Sequence, residues 1–293
     1  MYDPTTVPLS CRIPEAVKRA LDDRRRASGE TVDAIVAKAL VEHLQAGWST
    51  LFQVSTAGAL VEGVHEGAVS VHFLKQHGDL GLGTFTNLDG EMVVVDGRCY
   101  QVRSDGSVRE VDDAERSPYA VLTQFKPDPP VALGACSGVA DLHKRLDALR
   151  TTDNLFFAYR IDGLFEFVRT RAVPRVEEGT RLLAAAARQP EFDFHGVRGT
   201  LVGFWSPGYV KILTVPGYHF HFLTEDRKAG GHLLDCRVAD RALTARIERE
   251  ANLRIALPET PSFLKADLSR DGSEDLDQAE KQKGERKQEP GTR

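Results

Sequence analysis

Between Pro216 and His232 the chain reads Pro-Gly-Tyr-His-Phe-His-Phe-Leu-Thr-Glu-Asp-Arg-Lys-Ala-Gly-Gly-His. His219 and His221 stand two residues apart in an aromatic, β-prone run. On a strand that spacing puts both imidazoles on one face, with Cα atoms roughly 6–7 Å apart. Gly230-Gly231 permits a sharp turn, so the spacing predicts that His232 comes back beside them from a neighbouring segment. Three neutral imidazoles with no cysteine nearby match an open catalytic zinc site better than a closed structural one. The competing reading is a pair of strand histidines and an unrelated third, because chance His-x-His pairs are common.

The 293 residues suggest roughly two domains. With 41% hydrophobic and 28% charged residues, the chain can bury a core and stay in solution. It holds no apolar run of about 18 residues, so no membrane span is expected. Met1-Tyr-Asp-Pro-Thr-Thr lacks the basic and apolar regions of a signal peptide. Cys11, Cys99, Cys136 and Cys236 are scattered without metal spacing, and a cytoplasmic location with reduced thiols is expected. Cys236 follows His232 by four residues, but free cysteines are usually buried and inert. A net charge of -5 argues against a broad nucleic-acid surface.

Residues 1–47 read as a separate strand-helix-helix unit. Val7, Leu9, Cys11 and Ile13 alternate with polar or proline positions, which predicts a short strand. Pro14 opens a helix through about Ala27, and Thr31 can cap a second from Val32 to about Gln45. So few residues make a poor core alone, and dimerisation would repair that. The segment resembles a ribbon-helix-helix unit, whose members pair strands across a dimer and read the DNA major groove. Its acidic and basic residues balance, which is poor for phosphate binding, so a homodimer is favoured over DNA contact.

From residue 48 to 268 the pattern mixes hairpins with occasional helices, an α+β class with mixed or antiparallel sheets in two β-rich subdomains. Strands are expected at Leu51–Val54, Glu91–Val95, Cys99–Val102, Gly199–Phe204 and Val210–Val215. Asp96-Gly97 marks a hairpin, and Asp105-Gly106 and Asp162-Gly163 mark turns, the last within Leu155–Val168. Helices are expected at Ala57–Leu60, Val139–Leu149 and Val176–Arg188. No glycine-rich phosphate loop appears. Residues 269–293 are charged and lack aromatics, so they have little to bury and are expected to be disordered beyond about Lys281.

The catalytic part resembles the α-acetolactate decarboxylases. The resemblance rests on Leu51-Phe-Gln-Val-Ser-Thr, His77-Gly-Asp-Leu-Gly-Leu-Gly-Thr-Phe-Thr-Asn-Leu-Asp-Gly-Glu91 and Tyr100-Gln101. It continues through Ser104-Asp-Gly106, Ser117-Pro-Tyr-Ala, Asp153-Asn-Leu-Phe, Arg160-Ile-Asp-Gly163 and Arg171-Ala-Val-Pro174. It ends in Gly217-Tyr-His-Phe-His and Gly230-Gly-His-Leu-Leu-Asp235. It implies a carboxy-lyase that converts 2-acetolactate to acetoin and carbon dioxide, with Zn²⁺ held by His219, His221 and His232. It also implies Glu91 in the pocket, Arg171 as the active-site arginine and Thr84 near the substrate. One further glutamate comes from the tail, with Glu280 chosen and Glu274 behind it. Ala172 departs from a frequent threonine without removing a charge.

The residue types suit that chemistry. Loss of carbon dioxide leaves an enediolate, whose negative oxygen a zinc ion on neutral imidazoles stabilises. Arg171 is a permanently charged fork for a carboxylate, and Glu91 is a candidate proton donor or relay. Each has a plainer reading: Glu91 as a hairpin flank, Arg171 as a surface cation, Thr84 as strand filler. His77 reads as a turn residue. His43, His65, His72, His143 and His195 read as surface or packing residues. Two rival functions are a DNA-binding regulator with a decarboxylase-like sensor domain, and a zinc-binding module without catalysis.

Overall fold

The computed structural model describes residues 9–43, 49–239 and 242–281, and the chain divides into two compact units, Met1–Trp48 and Ser49–Arg293. In the first, α1 (Glu15–Ser28) follows Pro14 and ends on Gly29, whose positive φ lets its N–H return to the Arg25 carbonyl. In α2 (Val32–His43) the Ala34 N–H donates to Thr31 Oγ1, the expected cap. The strand expected at Val7–Ile13 is not formed at residues 9–13, and its first two residues lie outside the described ones. A strand needs a neighbouring edge, and the described residues of this unit supply none.

The second unit opens with β1 (Thr50–Val54), α3 (Ala57–Val61), β2 (Val69–Ser70), α4 (Val71–Lys75), β3 (Leu80–Thr84), β4 (Glu91–Val95), β5 (Arg98–Val102), β6 (Val108–Glu110), β7 (Arg116–Ser117) and β8 (Ala120–Thr123). It continues with β9 (Val131–Leu133), α5 (Val139–Asp147), β10 (Phe156–Arg171), α6 (Leu182–Ala186), β11 (Glu191–Ser206), β12 (Gly217–Thr224), β13 (Gly230–Arg237), β14 (Leu243–Glu250) and β15 (Asn252–Ala256). It closes with α7 (Pro261–Lys265) and α8 (Ser273–Lys281). The class is α+β, as expected. One sheet runs β15-β1-β8-β3-β4-β5-β6, the other β11-β12-β13-β10-β14-β9, and β2 pairs with β7. Because β11 also pairs with β10, four strands of the second sheet close into a ring. Leu82, Val93 and Val121 of the first sheet share a core cluster with Phe156, Val202 and Leu223 of the second. Thus the two sheets face each other across an apolar layer.

Several segments depart from expectation for physical reasons. Asp162-Gly163 is no turn, and β10 runs through it. Gly163 pairs with Gly199, and a Cβ on it would stand 2.1 Å from the Ala242 carbonyl. This close approach lies where β10 exchanges β14 for β13 as its neighbour. Asp162 instead accepts from Arg160, Thr200 and Arg246. Only Leu182–Ala186 of the expected 176–188 helix forms, since Gly179 turns the preceding chain at φ 85°. Val210–Val215 is not a strand. Its Ile212 and Leu213 carbonyls accept the Gly58 and Ala57 N–H groups at the start of α3. The expectation of a tail with little to bury fails for α8, where Leu276 and Ala279 are almost fully buried. Residues 282–293, where disorder was expected, lie outside the described residues.

The Gly230-Gly231 pair is not the turn either. Residues 225–229 make the connection, and both glycines belong to β13. They are needed because strands crowd there: a Cβ would stand 2.3 Å from the Phe222 carbonyl at Gly230, and 2.4 Å from the Arg171 carbonyl at Gly231. Gly231 also holds φ at 134°. Replacing Gly231 with Ala should therefore destabilise the protein by about 1–3 kcal/mol, read as a lowered denaturant midpoint; an unchanged midpoint would contradict this packing.

Glu250 ends β14 with no exposed surface, opposite Phe156 of β10. Burial pushes its carboxyl up from an ordinary 4.5 to about 8, helped by Glu248 and opposed by the Thr123 hydroxyl. The folded state thus binds the proton more tightly than the unfolded one. That stabilisation is complete below about pH 4.5 and is lost as pH rises through about 8. Wild type should lose stability relative to a Glu250→Gln variant across that window. Parallel denaturation profiles for the two proteins would refute it.

Candidate active site

The three histidines converge because strand pairing forces them to. His219 and His221 project from the same face of β12, and His221 is the register partner of His232 on β13. Their ring centroids lie 5.0–5.5 Å apart. One nitrogen from each ring can be chosen so that all three lie within 4.8 Å of one another. His219 Nε2 stands 3.2 Å from His232 Nδ1.

β4 of the opposite sheet fixes the orientation of His221. Its Nδ1 is 2.8 Å from the Met92 carbonyl. A carbonyl only accepts, so Nδ1 carries the proton and Nε2 presents a lone pair. That Nε2 is buried without a hydrogen-bond partner. Burial holds all three rings neutral: His219 is pushed down to about 3, and His221 and His232 well below their ordinary value, with Arg171 adding to the effect. Neutral nitrogen donors, one of them orphaned in the interior, fit a borderline divalent cation such as zinc.

The same cavity gathers every other residue expected at the site. Thr84, Glu91, Arg171 and Glu280 line it together with the three histidines, and its volume is about 60 Å³. Glu91 begins β4 opposite Thr84 of β3. Its Oε1 accepts the Val173 N–H, and its Oε2 lies 3.5 Å from His221 Nε2. Burial raises its carboxyl to about 7, with Glu280 pushing the same way and Arg171 opposing. Arg171 ends β10 at 4% exposure and donates from Nη1 to the Ala279 carbonyl at 2.6 Å. Burial lowers its pKa, while Glu280 and Glu91 oppose that.

Glu280 enters from α8. Its Oε2 lies 3.5 Å from His232 Nε2 and 3.8 Å from both His219 Nε2 and Arg171 Nη2. Burial raises its carboxyl and Arg171 restrains the shift. Glu274, the second choice, sits in the first turn of α8 outside the cavity lining. Thr84 donates its hydroxyl proton to the Gly90 carbonyl, which leaves its oxygen only as an acceptor towards the cavity. Ala172 is fully buried in the core, where its methyl needs no partner.

The remaining histidines stay outside this cluster. His77 stacks on Phe52, His143 on Tyr218, and His195 lies beside Phe167. His65 is buried near the Leu60 carbonyl, and His72 faces Asp113. The side chain of His43 lies outside the described residues. Cys236 packs in the core of the ring, where burial lifts its thiol to about 12. The sequence reading missed the backbone groups of Met92, Val173 and Ala279 and the apolar wall of Leu276, which no residue-type pattern announces.

Among the described residues no helix is long and apolar enough to cross a membrane. The family model of alpha-acetolactate decarboxylase matches residues 51–270. A relative from Methanosarcina mazei, named alpha-acetolactate decarboxylase, is 42% identical over 232 residues, covering 79% of this chain and 80% of its own. One of the same name from Bacillus subtilis is 39% identical over 234 residues, covering 79% and 91%. The crystal structure of alpha-acetolactate decarboxylase from Bacillus subtilis strain 168 superposes with a TM-score of 0.76 at 38% identity, covering 79% of this chain and 99% of that one. With its histidine-lined cavity enclosed by the matched region and α8, the chain belongs to the alpha-acetolactate decarboxylase family.

Proposed function

We propose that this protein is a zinc-dependent decarboxylase that converts 2-acetolactate to acetoin and carbon dioxide. The observation that carries this reading is the convergence of three neutral imidazoles, a buried guanidinium and two buried carboxyl groups on one cavity. His219, His221 and His232 hold the metal. When bound, a divalent ion supplies positive charge for the oxygen that becomes negative as carbon dioxide leaves.

The chain's own residues do the rest. Arg171, fixed by the Ala279 carbonyl, orients the substrate carboxylate through its planar fork. Apolar walls from Leu60, Val173 and Leu276 exclude water. A dry pocket weakens carboxylate solvation and strengthens the charged contacts that replace it. Glu91 holds a proton near neutral pH and delivers it to carbon after decarboxylation. Glu280, on the other side of the histidine cluster, orients the substrate hydroxyl. Carbon dioxide release from racemic acetolactate should vanish on chelation and return with zinc. His221→Ala should bind little zinc and lose at least about a hundredfold in turnover, beyond the usual cost of an outer-shell change. Full activity in zinc-free His221→Ala protein would sink the reading.

We further propose that the unit of residues 1–47 pairs two chains. No side chain of α1 is buried, and Leu9, Ile13 and Val17 are 68%, 42% and 50% exposed. Such an apolar side gains from cover by a second copy. No observation favours the DNA-binding alternative over this. Sedimentation of the full chain should give a dimer that Val17→Glu shifts towards monomer; identical sedimentation of the two proteins would argue against pairing here.

A further inference from the structure

The cavity as it stands has room for a few waters. Sites that bury small organic ligands commonly measure roughly 300–1,000 Å³. Something in its wall must therefore move to admit a substrate, and the wall is uneven. Thr84, Glu91, Arg171 and the three histidines stand on strands paired on both sides. Leu276, Ala279 and Glu280 stand on one short helix, α8, which packs on α3 and α6.

Two ties on opposite sides of α8 matter here. Towards the cavity, Arg171 Nη1 holds the Ala279 carbonyl. Towards solvent, Arg270 bridges from Nη2 to Asp275 Oδ2 at 2.8 Å and from Nη1 to Glu62 Oε1 at 3.3 Å. Glu62 caps the end of α3, and its Oε2 also takes Arg181 Nη2 at 3.0 Å. Neither Glu62 nor Arg270 lines the catalytic cavity. The inner tie engages the same guanidinium that a substrate carboxylate would use. The outer ties are partly exposed ion pairs, which are individually weak. A helix held this way is stable when docked and inexpensive to lift.

We propose that α8 is the gate of the active site: it lifts to admit substrate and recloses to bring Glu280 to the metal centre. Glu62 and Arg270 are positioning residues that set the balance between open and closed. The proposal rests on the decarboxylase reading of the cavity. Closing then restores the Arg171–Ala279 contact beside the bound carboxylate, while the Glu62–Arg270–Asp275 bridge draws the helix back.

The test uses the full-length zinc-loaded protein, with Glu62→Gln and Arg270→Gln as variants and Glu62→Asp as the conservative control. The binding probe is 2,3-dihydroxy-2-methylbutanoate, the substrate with its ketone reduced so that it cannot lose carbon dioxide. Either variant, by breaking the Glu62–Arg270 link, should raise hydrogen exchange across residues 273–281 about fivefold. Amides of α5 should keep their protection. The association rate of the probe should rise by the same factor in both variants, with unchanged zinc content, and Glu62→Asp should recover most of the difference. Unaltered exchange, or faster exchange with an unaltered association rate, would overturn the gate while leaving the decarboxylase reading intact. Failure of the probe to bind wild type would overturn both, since the helix would then guard nothing.

Discussion

The hydrogen bond from His221 Nδ1 to the Met92 carbonyl ties the histidine strand of one sheet to an interior strand of the other. It sets the tautomer of the most deeply buried of the three histidines. It also brings Glu91, the residue before Met92, within 3.5 Å of that ring's second nitrogen. Within the apolar layer between the sheets, a single contact therefore sets the direction of a lone pair beside the place of an acid. Everything else in the cavity is arranged around a distance that this contact holds.

The electrostatics follow from burial. Desolvation disfavours every charged form, so the imidazoles are neutral and both carboxyls are raised. Arg171 is the exception, because its guanidinium does not surrender its proton in proteins. Its charge helps to keep the histidines unprotonated and restrains the glutamates. One buried cation thus keeps the nearby imidazoles neutral.

Much of this was legible in the sequence. His219 and His221 share a face because strands alternate, and the alternation was visible in the aromatic run. The Asp96-Gly97 hairpin was equally plain, since its turn chemistry is local. Glycines at crowded positions misled. Gly163 and Gly230-Gly231 look like turns, yet each serves a close backbone approach set by a partner distant in sequence. Val210–Val215 has strand-like residues but gives its carbonyls to α3, a tertiary demand that no local pattern carries. Glu280 was found only through resemblance, because a charged tail shows no sign of the two small apolar contacts that dock it.

The ring of β10, β11, β12 and β13 has a consequence beyond holding imidazoles. Strands that pair around a circuit leave less vacant backbone ladder to a stranger than an open sheet does. Next to the ring, the sheet is finished by a three-residue strand, β9, too brief to template much. Self-association through this part of the molecule must then rely on side chains, and the histidine-bearing frame resists the edge-to-edge sticking that troubles open β architectures.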